Sequence, residues 1–318
     1  MTGLRTGIWL FPEMASATFV DHARHCEAAG IGDLWVGDEG PGRDPFVLLA
    51  AAAQETTRLR LAVGVTNPYL RHPAITAVAA MTVHELSGGR ALLGLGPGGD
   101  VALAPLGIEP VAPLTRCRDA VRIMRAVIRG EPTDGYDPPA HTFTAPDLPI
   151  YIGARRERFN RFASEAADGV FVAGVAPSMF DQVVGWARSV RPIEVALYVS
   201  ACFDDAEVER SRPTLIHAFL NGPDELRARA ELSVDELRAA SGALAAGDDA
   251  AARCLMTDER LALVLVRGTP LEVGRVLAGH ARRIVPSSIG FALLASDMSR
   301  AIDAAAEAFA VVNSEVAA

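Results

Sequence analysis

Strand-like and helix-like runs alternate along the chain from its first residues to its last, and this alternation is the strongest constraint on the fold. Short apolar runs are typical of buried strands, and longer stretches with apolar residues at helical spacing are typical of helices. Because strands that alternate with helices pair in parallel, eight such units predict an α/β fold, the (β/α)8 TIM barrel. The predicted strands are residues 6–10, 33–36, 59–65, 91–95, 149–152, 169–172, 194–202 and 284–291.

One segment departs from this alternation. Residues 204–268 are rich in alanine and charge, and their pattern predicts several helices. A length of 318 residues suggests about two domains, with a large α/β barrel as the standing exception. We therefore expect residues 1–318 to form a single barrel domain, with 204–268 a mostly helical insertion after the seventh strand.

Charge and cysteine content exclude several classes of function. The formal net charge is −9 and all 30 basic residues are arginine, so we expect no nucleic-acid partner. The absence of lysine also excludes chemistry that needs a Schiff-base or P-loop lysine. The 4 cysteines are far apart and form no C-x-x-C pair, which predicts buried free thiols and no metal site.

Hydropathy gives no sign of a membrane or secreted protein. The longest apolar runs fall short of the roughly 18 residues that a membrane span needs. The apolar run near the N-terminus is too short for a signal peptide before the acidic Glu13. We therefore expect a cytoplasmic protein with no membrane partner.

Chemistry in a (β/α)8 barrel takes place in the loops that follow the strands. Asp38 and Glu39 follow the second strand, where carboxylates can do acid–base work or hydrogen-bond a heterocycle. The alternative is a turn-forming aspartate beside a solvent-facing glutamate. The fourth strand leads into LGLGPGGD, residues 93–100, whose glycines allow a ligand to approach the backbone, although a simple tight turn is the alternative.

The loop after the fifth strand is the best candidate for an anion site. In IGARRERFNR, residues 152–161, a glycine turn precedes a helix start with free N–H groups and a positive dipole end. Arg155 and Arg156 add charge and can bind an anion with two hydrogen bonds. Alternatively, some of the arginines are solvated and paired with Glu157 or Glu165.

The stretch LAVGVTNPYLRHPAITA, residues 61–77, interrupts a strand with Gly64. Glycine inside a strand marks a bulge or the close approach of a ligand or another backbone. His72 precedes a proline at the next helix start, and we expect a structural role for it. This bend therefore belongs with the candidate ligand-binding loops.

These motifs together resemble the luciferase-like flavin and deazaflavin oxidoreductase superfamily. The resemblance is carried by DLWVGDE, GVTNPYLRHP, ELSGGR and LGLGPG, and it is extended by LGIEPVAP, LPIYIGA, EAADGV and RGTPLEV over most of the chain except 204–268. The central block is especially similar to the branch that uses coenzyme F-420, an 8-hydroxy-5-deazaflavin. That branch includes methylenetetrahydromethanopterin reductases, secondary alcohol dehydrogenases and sugar-phosphate dehydrogenases.

The resemblance implies roles for individual residues. It implies a non-prolyl cis peptide bond between Gly64 and Val65 that backs the cofactor ring. The ring would also contact the residues after the second and third strands, the loop after the fourth strand would line its edge, and the loop after the fifth strand would hold the phosphate. The candidate cofactor-binding residues are Asp38, Gly64, Val65, Thr66, Gly96, Pro97, Gly98, Gly153, Ala154, Arg155 and Arg156.

Three positions depart from the relatives. Glu39 stands where some relatives carry histidine, and Gly99, followed by Asp100, stands where some carry an acid. Trp9 stands where the methanopterin reductases carry glutamate. We therefore take Glu39 and Asp100 as the candidate catalytic proton donors, ahead of His72.

The main hypothesis is an oxidoreductase that transfers a hydride between coenzyme F-420 and a small organic substrate. The alternatives are an FMN-dependent luciferase-like monooxygenase and a barrel that binds a cofactor or ligand without turnover. The alanine-rich helices predicted at 45–57 and 73–86 carry apolar residues on more than one face. Because the corresponding region often forms a homodimer in this superfamily, we expect a homodimer.

Overall fold

Parallel strands form the centre of the protein. The structure, a computed structural model, describes residues 4–140 and 142–317, apart from the side chains of Asp100 and Val101. The strands are β1 (Arg5–Leu10), β2 (Asp33–Val36), β3 (Arg60–Thr66), β4 (Ala91–Leu95), β5 (Ile150–Gly153), β6 (Gly169–Ala173), β7 (Glu194–Cys202), β8 (Leu265–Arg267) and β9 (Ser288–Leu293). Strands β1 to β7 pair in chain order, and β9 pairs with both β7 and β1. Eight strands therefore close into the barrel that the alternation predicts.

Helices surround this barrel. They are α1 (Ser16–Ala28), α2 (Pro45–Glu55), α3 (Pro73–Leu86), α4 (Asp100–Leu103), α5 (Pro113–Arg129), α6 (Glu157–Ala166), α7 (Phe180–Ala187), α8 (Asp205–Ser211), α9 (Ile216–Leu220), α10 (Asp224–Ala230), α11 (Val234–Ala245), α12 (Ala250–Leu255), α13 (Asp258–Val264), α14 (Pro270–Ile284) and α15 (Met298–Ala317). Short 3₁₀ turns span Ala104–Leu106, Pro177–Met179 and Arg212–Leu215. Helices α8 to α13 lie between the end of β7 and the short strand β8, inside the segment 204–268.

The main departure from the predicted elements concerns the last barrel strand. We predicted a strand over residues 284–291, but Ile284 is the last residue of α14 and the strand is Ser288–Leu293. Val285 follows with φ 50°, a left-handed conformation that ends the helix. The apolar residues around 284 therefore belong to a helix end rather than to the strand.

The barrel interior is filled by aromatic side chains that alternate with small residues. Trp35 stacks on Phe171 with ring centroids 4.2 Å apart, and Tyr198 packs edge-on against Trp35. Glycine on neighbouring strands makes room for these rings: a Cβ on Gly290 would lie 2.6 Å from the Tyr198 ring. The interior is thus a packed core, as in other barrels of this kind.

The amino-terminal end of the barrel is closed by a buried ion-pair network. Asp33 is completely buried, and its carboxylate accepts hydrogen bonds from Arg5, Arg60 and Ser288, each at 2.7 Å. Burial alone would raise the pKa of Asp33, but the two arginines outweigh burial and lower it. The reactive end of the barrel must therefore be the opposite, carboxyl-terminal end.

Local signals set the helix starts at this opposite end. The side chain of Asp44 accepts hydrogen bonds from the first turn of α2, and His72 Nδ1 accepts one from the Ala74 amide at the start of α3. The structural role expected for His72 is confirmed. Both helices have proline at their first position, where the missing N–H has no intrahelical partner to lose.

The cysteines are free, as the sequence predicts, but they are not all buried. Cys26, Cys117 and Cys202 are buried, whereas Cys254 is exposed at the end of α12. Among the helices of the described residues, none combines the length and the apolar content that a membrane crossing requires.

Candidate active site at the barrel mouth

The third strand contains the bend that the sequence predicts. The peptide bond between Gly64 and Val65 is cis, which confirms the expectation drawn from the resemblance. The pairing of β3 with β4 shifts register between Val63 and Thr66, so the strand is bulged at this point. The indole Nε1–H of Trp9 donates a hydrogen bond to the Gly64 carbonyl oxygen and ties the bulge to β1.

The bulge brings the Val65 side chain into the barrel, where it packs against the inner aromatic cluster. Three glycines leave room for it. A Cβ on Gly96 would lie 2.6 Å from Val65, one on Gly153 2.9 Å, and one on Gly94 3.0 Å. Gly96 and Gly153 are predicted cofactor residues, and Gly94 was not singled out. Val65 thus forms a half-buried wall, with bare backbone on either side of it.

Asp38 and Thr66 meet beside this wall. The Thr66 hydroxyl donates a 2.6 Å hydrogen bond to Asp38 Oδ2, and both residues are buried. Burial raises the pKa of Asp38, while the Thr66 hydrogen bond and the charge of Arg71 oppose that shift. The two predicted site residues are therefore brought together, and the carboxylate is held in one orientation.

Glu39 lies at the mouth next to Trp9. A Cβ on Gly37 would lie 2.7 Å from Glu39 Oε1 and 2.9 Å from the Trp9 ring, so the glutamate side chain folds back over Gly37. Burial raises the pKa of Glu39, the charge of Arg155 lowers it, and the charges of Asp38 and Glu13 raise it. A carboxyl group with a raised pKa at the mouth is better suited to donate a proton than an ordinary glutamate.

The loop after β4 leads into the short helix α4, and it is hydrogen-bonded to the end of β3. The Gly96 amide donates to the Thr66 carbonyl oxygen at 2.8 Å. Gly98 has φ 77° and packs against Leu103, and Pro97 is half-buried between the two glycines. These residues lie together beside the wall. The side chain of Asp100, a predicted proton donor, lies outside the described part of the chain.

The loop after β5 is arranged differently from the simple anion site that we predicted. The Ala154 amide donates to the Phe171 carbonyl oxygen at 3.1 Å, so its N–H extends the sheet. Arg156 is exposed and points to the 204–268 segment, where it donates to the Gly222 carbonyl oxygen at 3.0 Å and lies 3.7 Å from the Asp224 carboxylate. Gly153 and the backbone of Arg155 remain at the mouth.

Two parts of this site were missed by sequence reasoning. Trp9 was noted only as a departure from the relatives, yet it donates a hydrogen bond to Gly64 and lies beside Gly37, over which Glu39 folds. Gly94 lies in the strand, not in the glycine-rich loop, and its role as space for Val65 depends on the bulge. Strand alternation places both residues on the inner face of the barrel, and that signal could have identified them.

A cleft of about 510 Å³ opens at the rim between the loops after β1 and β9. It is lined by Phe11, Met14, His22, Leu294 and Met298, among others. Phe11, one of its lining residues, packs edge to face against Trp9 with ring centroids 4.4 Å apart. Within the described residues, no group of three or more histidine, cysteine or acidic side chains is arranged to hold a metal ion.

The closed barrel and the bulged third strand define a (β/α)8 protein with a non-prolyl cis peptide bond at its mouth. Comparison with known families then identifies it: the chain belongs to the luciferase-like monooxygenase family, whose model matches residues 4–285. It is 32% identical over 284 residues to the 5,10-methylenetetrahydromethanopterin reductase of Methanolobus tindarius, covering 83% of this chain and 86% of that protein. The reductase of Archaeoglobus fulgidus is 31% identical over 292 residues, covering 85% and 88%.

Solved structures show the same fold. The coenzyme F420-dependent tetrahydromethanopterin reductase from Methanopyrus kandleri superposes with a TM-score of 0.82 at 23% identity, covering 96% of this chain and 98% of that chain. An F420-dependent secondary alcohol dehydrogenase superposes with a TM-score of 0.74 at 18% identity, covering 98% and 99%. The predicted barrel and the predicted family are thereby confirmed.

Proposed function

We propose that the protein is an oxidoreductase that transfers a hydride between coenzyme F-420 and a small organic substrate. The observation that carries this proposal is the Val65 wall at the bulge, flanked by the bare backbone of Gly96 and Gly153. A flat ring can lie against such a wall without meeting side chains at its edges. The names of an F420-dependent glucose-6-phosphate dehydrogenase among the relatives and of the F420-dependent reductase among the solved structures support the same cofactor.

The residues at the mouth divide into three proposed groups. Asp38, Val65 and Thr66 would contact the ring, with Gly64 at the bulge behind it. Gly96, Pro97 and Gly98 would line its edge, and Gly153, Ala154, Arg155 and Arg156 would lie along the phosphate. Since the Ala154 amide is already hydrogen-bonded, the phosphate would depend mainly on the backbone of its neighbours.

When bound, the deazaflavin supplies the carbon that accepts or donates the hydride. The protein then contributes position and a proton. Val65 would hold the ring and leave one face for the substrate. The Asp38 carboxylate, oriented by the Thr66 hydroxyl, would accept a hydrogen bond from the ring. Glu39 holds its proton at the mouth, next to Trp9, and donates it to the substrate oxygen as a carbonyl is reduced.

Purified apo-protein should bind F-420 with micromolar or tighter affinity and bind FMN more weakly. Both affinities can be measured by the fluorescence change of the cofactor in equilibrium titrations. The matched variants are Gly96→Val, which adds a side chain against Val65, and Gly99→Val, at an exposed position with open space around it. F-420 affinity should fall in the first variant and stay close to wild type in the second.

The FMN-dependent monooxygenase remains the second candidate, because the matching family model describes luciferase-like monooxygenases. A long-chain alkane monooxygenase also shares the fold, with a TM-score of 0.67 at 15% identity. Tighter binding of FMN than of F-420 would favour this function. Binding of neither cofactor would favour a barrel without turnover and would remove the site assignments above.

A homodimer through α2 and α3 is also proposed. The two helices pack against each other and expose Val47, Ile75 and Val78, at 67%, 61% and 44%. Ile75→Asp should convert the dimer to a monomer, as measured by light scattering at several concentrations, because a charge would be buried in the contact. The control is Val190→Asp, because Val190 is an apolar residue that is 53% exposed and lies outside α2 and α3. A wild-type monomer would refute the proposal.

We further propose that residues 1–318 act as a single domain in the cytoplasm. The contacts of Arg156 with Gly222, of Arg229 with Ser178 at 3.0 Å, and the pairing of β8 with β7 attach the 204–268 segment to the barrel. Free cysteines are consistent with a reducing compartment.

A further inference from the structure

The side chain of Arg155 leaves the phosphate loop and turns toward the end of β6. Its Nε–H donates a 2.8 Å hydrogen bond to the Ala173 carbonyl oxygen at the end of β6. The guanidinium lies over Gly174, where a Cβ would be 3.0 Å from Nη2. Gly174 has φ 65°, and the lack of a side chain there makes room for the arginine. The main chain of Arg155 thus stays in the loop before α6, while its guanidinium lies at the end of β6.

Among the described side chains, this charge has no acidic partner within ion-pair distance. The hydrogen bond from Arg155 to Ala173 uses only Nε. The neighbouring Arg156 faces Asp224, and Arg60 in the barrel floor faces Asp33. Because a half-buried cation without a partner is unfavourable, its two terminal nitrogens are suited to an anion from outside.

The surroundings favour an anion of single charge. Burial lowers the pKa of Arg155, and the negative charge of the nearby Glu39 opposes that shift. Asp38 and Glu13 act on Glu39 from the same side of the mouth. A doubly charged phosphate would meet these acids with only one cation to balance it. A carboxylate matches the planar guanidinium with two parallel hydrogen bonds and carries one charge.

Resting on the function proposed above, we infer that Arg155 binds a carboxylate of the substrate, so that the enzyme acts on a small organic acid. The acid's apolar part then lies toward Trp9 and Phe11, whose rings pack edge to face with centroids 4.4 Å apart. The substrate is held with its reacting carbon between the Val65 wall and Glu39. The Arg155 side chain is a substrate-binding group, separate from the backbone that faces the cofactor phosphate.

The test compares a carboxylate with its neutral counterpart. Protein loaded with F-420 is titrated with butyrate, butyramide and inorganic phosphate by calorimetry, in wild type, Arg155→Met, Arg155→Lys and Arg158→Met. Arg158 is an exposed arginine in the first turn of α6 and serves as the control. Wild type should bind butyrate at least about tenfold more tightly than butyramide or phosphate, and Arg155→Met should lose about tenfold for butyrate only. Arg155→Lys should fall between the two, and Arg158→Met should match wild type.

Two results would overturn the inference. Equal binding of butyrate and butyramide by wild type would show that no cation selects the probe. A loss of F-420 affinity of about tenfold in Arg155→Met, with butyrate binding unchanged, would assign the side chain to the cofactor. If wild type binds no F-420, the proposed function fails, and the same butyrate titrations on the apo-protein decide the role of Arg155 independently. Thermal unfolding of each variant, followed by circular dichroism, identifies any that is misfolded.

Discussion

Replacing Asp33 by alanine is expected to lower the free energy of unfolding by about 3–5 kcal/mol, because buried positive charge at the barrel floor loses its carboxylate. Asp33 is completely buried and bonds to Arg5, Arg60 and Ser288, which belong to three different strands. Arg60 has no second carboxylate within ion-pair distance among the described residues. Urea unfolding followed by circular dichroism measures the change.

The control for this prediction removes an exposed ion pair. Glu165→Ala breaks the ion pair between Glu165 in α6 and Arg118 in α5. Both side chains are about half exposed, so the unfolding midpoint should stay nearly unchanged. Asp33→Asn keeps the shape and part of the hydrogen bonding but loses the charge, so we expect an intermediate loss. An Asp33→Ala protein as stable as wild type would contradict the stabilising role of this network.

The same network predicts how stability changes in acid. The pKa of Asp33 lies below its ordinary value in the folded protein, because the arginines outweigh the effect of burial. Its contribution is therefore complete above the pKa of an unfolded aspartate, about 3.9, and is lost as the pH falls through the lower folded value. As the pH is lowered below about 4, Asp33→Ala should therefore lose less stability than wild type does.

Glu39→Gln is expected to reduce kcat by about 10²- to 10⁴-fold in the direction that reduces the substrate, because glutamine keeps the shape but cannot donate a proton. Burial raises the pKa of Glu39, with further contributions from neighbouring charges. The donor must be protonated, so the wild-type rate should fall as the pH rises through this raised pKa. In the oxidising direction, where Glu39 accepts the proton, the dependence is reversed.

Stopped-flow absorbance of the deazaflavin measures this rate with the first carboxylate substrate that turns over. The control is Glu131→Gln, which changes an exposed glutamate after α5 and should leave kcat nearly unchanged. In Glu39→Gln, the pH-dependent limb should disappear while F-420 affinity is kept. A variant with wild-type kcat and an unchanged pH profile would exclude Glu39 as the donor and leave Asp100 as the next candidate.

The secondary structure was largely predictable because local signals set it. Strands at 33–36, 91–95 and 194–202 and the helix at 73–86 have the predicted bounds. In each case a short apolar run or an apolar periodicity ends at a clear boundary, such as the proline that starts α3. Where an apolar run crosses a helix end, as at residue 284, the run alone could not separate helix from strand.

The site was predictable only in part, because it depends on contacts between distant strands. The residues after β2 and at the end of β3 were singled out, and Thr66 is indeed hydrogen-bonded to Asp38. That Val65 turns inward and needs Gly94 follows from the bulge and from how β3, β4 and β5 lie side by side. The direction of the Arg155 side chain depends on Gly174, two elements further along, and no local pattern marks that contact.

Closure of the barrel has a consequence for how this protein can associate with other chains. Each of the eight barrel strands is paired on both sides, so none offers free backbone groups to a strand of another molecule. Of the described strands, only β8 has an unpaired edge, and it is three residues long and followed by Gly268. Strand addition, a common route to amyloid-like aggregation, is therefore blocked in the folded state. Assembly must proceed through helix side chains, where single substitutions can control it.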